Sequence, residues 1–188
     1  GCEQQLDDYS VVLIDPEPHE LDSIKNKAIS PLPLSLNLAL DAAQLKTLDP
    51  VAQLIDVVAN LPGLNSHKSS LFILLSEAYN NALEHGILGL DSQMKLCDDG
   101  FIEYYNLRET KLAELSEGNI TIAIDYHPDT RSLKMSVTDS GCGFDTSVHN
   151  TDKDYRSFGR GLALIHELAE QVQYNKAGNQ VTFTYLIQ

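Results

Sequence analysis

Residues 137–144 have the sequence VTDSGCGF, and they end a stretch in which Leu133, Met135 and Val137 alternate with polar residues. Side chains that alternate in this way lie on one face of a strand, and Asp139 has the same parity. We therefore expect its carboxylate on the buried face, where the strand ends. A buried carboxylate needs a donor, and the amine of a ligand is one candidate. The alternative is a tight turn, in which Asp139 accepts hydrogen bonds from local N–H groups and the glycines supply positive φ angles.

A second group of polar residues is spaced for a helix. Apolar residues at helical spacing predict a helix that is capped by Ser66, runs to about His85 and ends at Gly86. Its predicted core-facing residues are Leu71, Leu74, Leu75, Ala78 and Ala82. Glu77, Asn81 and His85 are rotated by only about 40° from one to the next, so they share one face at the rim of the core. Such a face can line a pocket, and an ordinary solvated helix edge is the alternative.

A glycine-rich loop is the third element that could take part in binding or catalysis. Residues 158–165 have the sequence FGRGLALI and lead directly into a helix that is predicted to run from about 161 to 171. Such a loop directs free N–H groups and the positive end of the helix dipole at one point, which favours anion binding. A helix start with a flexible entry is the alternative.

The remaining pattern predicts the layers of the fold. Strands are predicted at 34–40, 120–124, 133–137, 172–175 and 180–187, and further helices at 50–61, with Asp49 as N-cap, and at 101–115, within an insertion at 89–118. The helices can cover one face of the sheet, which we expect to be mixed. These elements predict the α+β class, as a two-layer sandwich.

The composition favours one intracellular domain. With 188 residues, of which 43% are apolar, the chain can bury one sizeable core. We find no apolar run that could span a bilayer and no signal-peptide pattern, so we expect a cytoplasmic protein without membrane contact. The three cysteines lack the spacing of a metal site. The net charge of −14 argues against a nucleic-acid partner, and it requires any nucleotide to be held by local N–H groups, a metal ion and a few arginines.

In their order along the chain, these elements resemble the motifs of the GHKL ATPase family, which has the Bergerat ATP-binding fold. The sequence EAYNNALEH at 77–85 is similar to its N-box, DSGCGF at 139–144 to its first glycine box, and GRGL at 159–162 to its second. The resemblance covers roughly residues 34–188. Within the family, the short lid and the N-box sequence EAYNNA are most similar to the anti-sigma-factor serine kinases.

The resemblance implies ATP and Mg²⁺ as cofactors and a role for each matched residue. Asn81 would hold Mg²⁺ against the phosphates, Glu77 would act as general base, and Asp139 would accept a hydrogen bond from the adenine amino group. Arg160 is the better of two candidates, with Arg156, for stabilising the developing negative charge. The residues implied in nucleotide binding are Asn81, His85, Asp139, Gly141, Gly143, Phe144, Gly159, Arg160, Gly161 and Leu162.

The first residues of the chain show another resemblance. The sequence LDDYSVVLI at 6–14 is similar to the closing strand of metal-dependent serine phosphatases, and residues 15–33 are rich in proline and charge, as linkers are. This implies that residues 1–33 are the remnant of a preceding phosphatase-like domain with its linker, and that 34–188 form the ATPase domain. An acidic turn before an unrelated strand is the alternative.

Together the resemblances imply a kinase that phosphorylates a serine of a STAS-type anti-sigma-factor antagonist in bacterial partner switching. A sigma factor and a second copy of the chain are further candidate partners. Two other functions stay open. A sensor histidine kinase could use His19, although the prolines around it break the long helix that such a histidine requires. An ATP-binding module could sequester its partner without phosphorylation, although the presence of both Glu77 and Asn81 favours catalysis.

Overall fold

A five-stranded sheet forms one layer of the domain. We describe residues 32–96, 100–144 and 160–187 of a computed structural model. The strands are β1 Leu34–Asp41, β2 Asn119–His127, β3 Ser132–Asp139, β4 Gln171–Tyr174 and β5 Gln180–Leu186, in the order β1-β2-β3-β5-β4 across the sheet. Each predicted strand coincides with one of these, because alternation of apolar side chains is a direct sign of a half-buried strand.

The strand directions correct one expectation. Every pairing in the sheet is antiparallel, so the sheet is not mixed. The strand-helix-strand passage from β3 to β4 suggests a parallel pair, and β4 does run in the direction of β3. The two strands are not neighbours, however, because β5 lies between them and is antiparallel to both. The α+β class itself is confirmed.

The helices form the second layer. They are α1 Ala42–Leu45, α2 Val51–Ala59, α3 Lys68–Asn80, α4 Gly100–Glu114 and α5 Arg160–Leu168. Asp49 accepts a hydrogen bond from Val51 N (3.2 Å), which supports its predicted role at the start of α2, although the N-cap position itself is Pro50. Ser66 was a wrong choice of cap, because it lies within a 3-10 turn at Asn65–His67 and α3 starts only after it.

The core lies between the two layers. On β2 and β3 the buried residues alternate with partly exposed ones, so only one face of the sheet is covered. The core residues predicted for α3 and its continuation beyond Asn80 are all buried in the core: Leu71, Leu74, Leu75, Ala78 and Ala82. Among the described residues, no helix is both long and apolar enough to cross a membrane.

Two local features were not predicted. A capping box between Asp41 and Gln44 starts the short helix α1 directly at the end of β1. More important for the site, the predicted helix is α-helical only as far as Asn80 and continues as a π-helix over Asn81–Ile87, so it ends two residues beyond His85. The wider turns of a π-helix have a poorer geometry than α-helical turns and are frequent at functional sites. The polar face that the sequence indicated therefore lies largely on irregular helix.

The proposed division of the chain between residues 33 and 34 stays a prediction. Residues 31–188 form one compact unit by their contacts. The segment that resembles a phosphatase strand, at 6–14, and His19 lie outside the described residues.

Candidate functional site

A cavity of about 410 Å³ opens where the π-helix, the end of β3 and the turn before β5 meet. This volume is within the usual range for small-molecule sites. The residues that line it are Ala78, Asn81, Ala82, His85, Gly86, Gly89, Ser92, Val137, Asp139, Cys142, Gly143, Phe144, Ile165, Tyr174, Gly178, Asn179, Gln180 and Val181. Apolar side chains and glycines dominate the wall. Its polar groups include residues of the first two predicted motif regions and of the turn between β4 and β5, whereas the third motif region contributes only Ile165.

Asp139 is the buried acid of this cavity. Only 8% of the residue is exposed, and it shares the inner face of β3 with Leu133, Met135 and Val137, as its parity predicted. One carboxylate oxygen, Oδ1, accepts a hydrogen bond from Gly141 N (2.8 Å), while Oδ2 receives none from the described residues. Asp139 therefore takes part in the local turn through Oδ1 and still offers Oδ2 as a free acceptor. Burial raises the pKa of Asp139, and backbone hydrogen bonds only partly offset this.

Two glycines allow the π-helix to approach the end of β3. A Cβ atom on Gly86 would collide with the carboxylate of Asp139, and one on Gly141 would collide with the carbonyl group of Gly86. Glycine is thus required on both sides of this contact, because any side chain would separate the helix from the strand. The first glycine box therefore positions Asp139 next to the N-box helix.

The turn between β4 and β5 holds the other end of the glycine box. Gly143 and Gly178 have φ angles of 70° and 73°, and a Cβ atom on either would collide with the backbone across the contact, at Ala177 and Phe144 respectively. Asn179 holds the main chain of Asp139 by two hydrogen bonds. The carbonyl oxygen of Asn179 accepts one from Asp139 N (2.9 Å), and its Nδ2 donates the other to Asp139 O (2.8 Å). Asp139 is thereby fixed through its main chain and not only through its side chain.

The three residues of the predicted polar helix face do not lie equally close to the cavity. Asn81 is half-buried and lines it, and its side chain makes no hydrogen bond with the described residues. His85 also lines it, with Nδ1 2.7 Å from the carbonyl oxygen of Leu90. Glu77 is half-buried but is not among the lining residues. Burial raises the pKa of Glu77; the charge of Lys95 lowers it and that of Glu84 raises it.

The second glycine box is described only in part. Gly159 lies outside the described residues, as does Arg156, and of Arg160, Gly161 and Leu162 only the backbone is described, as the first turn of α5. Their roles stay predictions. Among the residues that do line the cavity there is no lysine or arginine, so the described wall supplies little positive charge for phosphates.

The described residues fit a nucleotide and Mg²⁺ in a specific way. The free acceptor of Asp139, in a wall of mainly apolar side chains and glycines, suits an amine of a base, and the unpaired amide of Asn81 suits a cation. No group of three or more metal-binding side chains is found in the described ranges.

Some functional residues could not be recognised from the sequence. Asn179 was assigned only to a turn, and its bond to Asp139 spans a gap in sequence that no local pattern shows. Glu84 lies inside the N-box sequence but away from the cavity, where it accepts hydrogen bonds from Tyr104 and Arg108 of α4. The close contact of Gly86 with Asp139 was likewise not expected, since Gly86 was interpreted only as a helix end.

Comparison with known proteins agrees with this geometry. No curated protein matches the chain significantly. The family model described as histidine kinase-like ATPase domain matches residues 42–185, which is most of the chain and includes every element of the cavity. ATP binding is what this match implies. A two-layer α+β fold, a nucleotide-sized cavity and the family match together show that the chain belongs to the histidine kinase-like ATPase domains.

Proposed function

We propose that this domain is an ATP-dependent protein serine kinase of the anti-sigma-factor type, and that it phosphorylates a STAS-type antagonist in a bacterial cytoplasm. The observation that carries the proposal is the meeting of Asn81, with an unused amide, and Asp139, with an unused carboxylate oxygen, across one cavity. An adenine amine at one end and a metal-bound phosphate at the other are the groups that such a pair of side chains selects.

Each residue of the site has a role in phosphoryl transfer that follows from its position. Asp139 accepts a hydrogen bond from the base and so fixes the base end of the nucleotide. Asn81 would hold Mg²⁺, which would supply positive charge to offset that of the phosphates. Phosphoryl transfer breaks the bond between the γ-phosphorus and its bridging oxygen and forms one to the serine oxygen of the partner, while the serine proton passes to Glu77. ADP and a phosphoserine are the products.

The electrostatics of the domain support this division. With a net charge of −14 the chain repels a nucleotide at long range, and the described cavity wall carries no lysine or arginine. Metal, free N–H groups and Arg160 are therefore the proposed sources of positive potential. Burial raises the pKa of Glu77, which makes it a stronger base than an exposed carboxylate.

One observation favours a second candidate function. Glu77 does not line the cavity, so a base is not in direct reach of it in the described arrangement. A module that binds ATP and sequesters a sigma factor or antagonist without phosphorylation needs Asn81 and Asp139 but not a base. The two candidates differ in one product, the phosphoserine.

The experiment follows that difference. The domain is incubated with Mg-ATP and a purified STAS-domain antagonist, and the antagonist is examined by intact mass and peptide mapping. A phosphate on one serine, absent with Glu77→Gln and with Asp139→Asn, supports the kinase. Tight ATP binding without any phosphorylated partner supports the binding module, and a phosphohistidine on the domain itself contradicts both.

A further inference from the structure

Glu84 is a nearly buried acid on the π-helix, on the side away from the cavity. Its side chain is 12% exposed, and its carboxylate is surrounded by donors. Tyr104 Oη donates to Oε2 (2.6 Å), Arg108 Nε donates to Oε1 (2.9 Å), and Lys95 Nζ lies 3.3 Å from Oε2. Burial alone would raise the pKa of Glu84, but the bond from Tyr104 and the two cations outweigh it and the pKa is lowered.

The donors belong to an arrangement that spans the insertion. Tyr104, Arg108 and Lys111 lie along one face of α4, at successive helical turns. The third of them, Lys111, donates to the carbonyl oxygen of Leu88, just after the π-helix ends (2.8 Å). Lys95 also lies 4.0 Å from the centre of the Tyr104 ring. The inner face of α4 is thus matched to the π-helix rather than to the sheet.

The main chain around Glu84 is tied to the cavity wall. The carbonyl of Glu84 accepts from Leu90 N (2.8 Å), and the carbonyl of Leu90 lies 2.7 Å from His85 Nδ1. Glu84 therefore lies between Asn81 and His85 in sequence and is linked to His85 through Leu90. A π-helix persists only where its surroundings determine it, and here the determining contacts converge on one carboxylate.

We infer that Glu84, held by Tyr104 and Arg108, is a positioning residue that fixes the π-helical turn and thereby sets where Asn81 faces the metal-bound phosphates. The inference rests on the proposed function and extends it to the insertion, which becomes a brace of the N-box. Asp139 is held from the sheet, by β3, Gly141 and Asn179, and meets the π-helix only where Gly86 lies against its carboxylate. A turn that loosens adds no atom at this contact, so we expect the adenine end of the site to keep its place when Glu84 is removed.

This separation supplies the test. Calorimetry measures the affinity of the domain for adenosine, for ATP with EDTA and for ATP with Mg²⁺. For Glu84→Ala we expect the affinity for Mg-ATP to fall about tenfold or more, the loss of roughly one charge-assisted contact, with adenosine affinity unchanged within about twofold. We expect Mg²⁺ to increase the affinity of the wild-type protein for ATP, and this increase should be absent in Glu84→Ala.

Two further variants make the result interpretable. Tyr104→Phe keeps the ring but removes the shortest bond to Glu84, and it should lose part of the same Mg²⁺-dependent gain; it serves if Glu84→Ala does not fold. Asp56→Ala breaks the exposed ion pair with Lys68 on α2 and α3 and should change none of the three affinities.

The outcomes are distinct. An intact Mg²⁺-dependent gain in folded Glu84→Ala or in Tyr104→Phe overturns the inference and leaves the kinase proposal standing. A parallel loss of adenosine and Mg-ATP affinity also overturns it, because it indicates general destabilisation. Wild-type protein that binds neither adenosine nor Mg-ATP contradicts the proposed function itself, and the inference falls with it.

Discussion

Gly86 lies against the side chain of Asp139, so closely that a Cβ atom on residue 86 would be 2.5 Å from the Asp139 Cγ atom. The main chain of Asp139 cannot retreat, because Asn179 holds both its N–H and its carbonyl group. Only the carboxylate can move. The helix that carries Asn81 and the strand that carries the candidate adenine acceptor are therefore joined by a contact that tolerates no added atom.

Gly86→Ala should weaken nucleotide binding. The new methyl group forces the Asp139 carboxylate to rotate away from the cavity, and a hydrogen bond to a charged acceptor is worth about 1.5–3 kcal/mol, so ATP affinity should fall about 10-fold to 100-fold. Calorimetry with Mg-ATP measures this. Gly63→Ala is the control, since Gly63 has a φ angle of 84° but open space around it. It should cost about 1 kcal/mol of stability and leave affinity intact. Equal affinities in both variants would contradict the steric argument.

Asp139→Asn should separate binding from stability. The amide cannot replace the carboxylate as acceptor for an amine at Oδ2, so we expect ATP affinity to fall about 10-fold to 100-fold. Burial raises the pKa of Asp139, so the folded state retains the proton more strongly than the unfolded chain. Wild-type stability therefore falls as pH rises from the ordinary aspartate pKa through the raised one, and above it the ionised acid is penalised.

Denaturant unfolding at two pH values checks the second half of that prediction. At pH about 7 Asp139→Asn should be at least as stable as the wild type, because it carries no buried charge. At pH about 3, below the ordinary aspartate pKa of about 3.9, the acid is neutral in both states and the advantage should vanish. A variant that is less stable at the higher pH alone would show that the Gly141 hydrogen bond outweighs burial.

Much of the fold follows from patterns that are local in the chain. Strands β2 and β3 alternate regularly, so their buried face, and with it the burial of Asp139, could be predicted by parity alone. The core face of α3 follows in the same way from helical spacing. The prediction of a mixed sheet was wrong because the position of β5, between β3 and β4, depends on pairing between distant segments rather than on the strand-helix-strand order.

The site was predictable to the extent that its residues share a motif. Asn81, His85 and Asp139 were predicted as site residues and line one cavity, whereas the residues that hold them in place were not predicted. Glu84 meets its donors on a helix outside the N-box, and Asn179 reaches Asp139 from the far end of the chain. The π-helix also has no simple sequence signal, because it depends on the contacts of Gly86 and Glu84 after folding.

The pH dependence of phosphoryl transfer should report on Glu77. A general base must be ionised, and burial raises the pKa of Glu77 above its ordinary value of 4.5, so the rate should fall with decreasing pH at a correspondingly higher pH. The charge of Lys95 lowers this pKa and that of Glu84 raises it. Lys95→Gln should therefore move the acid limb of the rate profile to higher pH.

Glu77→Gln is the companion variant. It should reduce the rate about 10²-fold to 10⁴-fold while ATP affinity is retained, since Glu77 does not line the cavity. Rates of partner phosphorylation between pH about 4.5 and 8, with calorimetry at neutral pH, provide both readings. An acid limb that stays in place in Lys95→Gln would assign the limb to a group other than Glu77.

Cys142 offers a reporter of occupancy that does not depend on catalysis. It is an exposed free thiol in the wall of the cavity, between Gly141 and Gly143. A nucleotide that contacts Asp139 covers this wall, so alkylation of Cys142 by iodoacetamide should slow about tenfold when ATP is present at about ten times its Kd. Peptide mass mapping separates Cys142 from Cys2 and Cys97. In Asp139→Asn at the same ATP concentration, an affinity that is about 10-fold to 100-fold lower should reduce the protection to about twofold or less. Protection of equal size in that variant would mean that ATP reaches the thiol without its base in the Asp139 pocket.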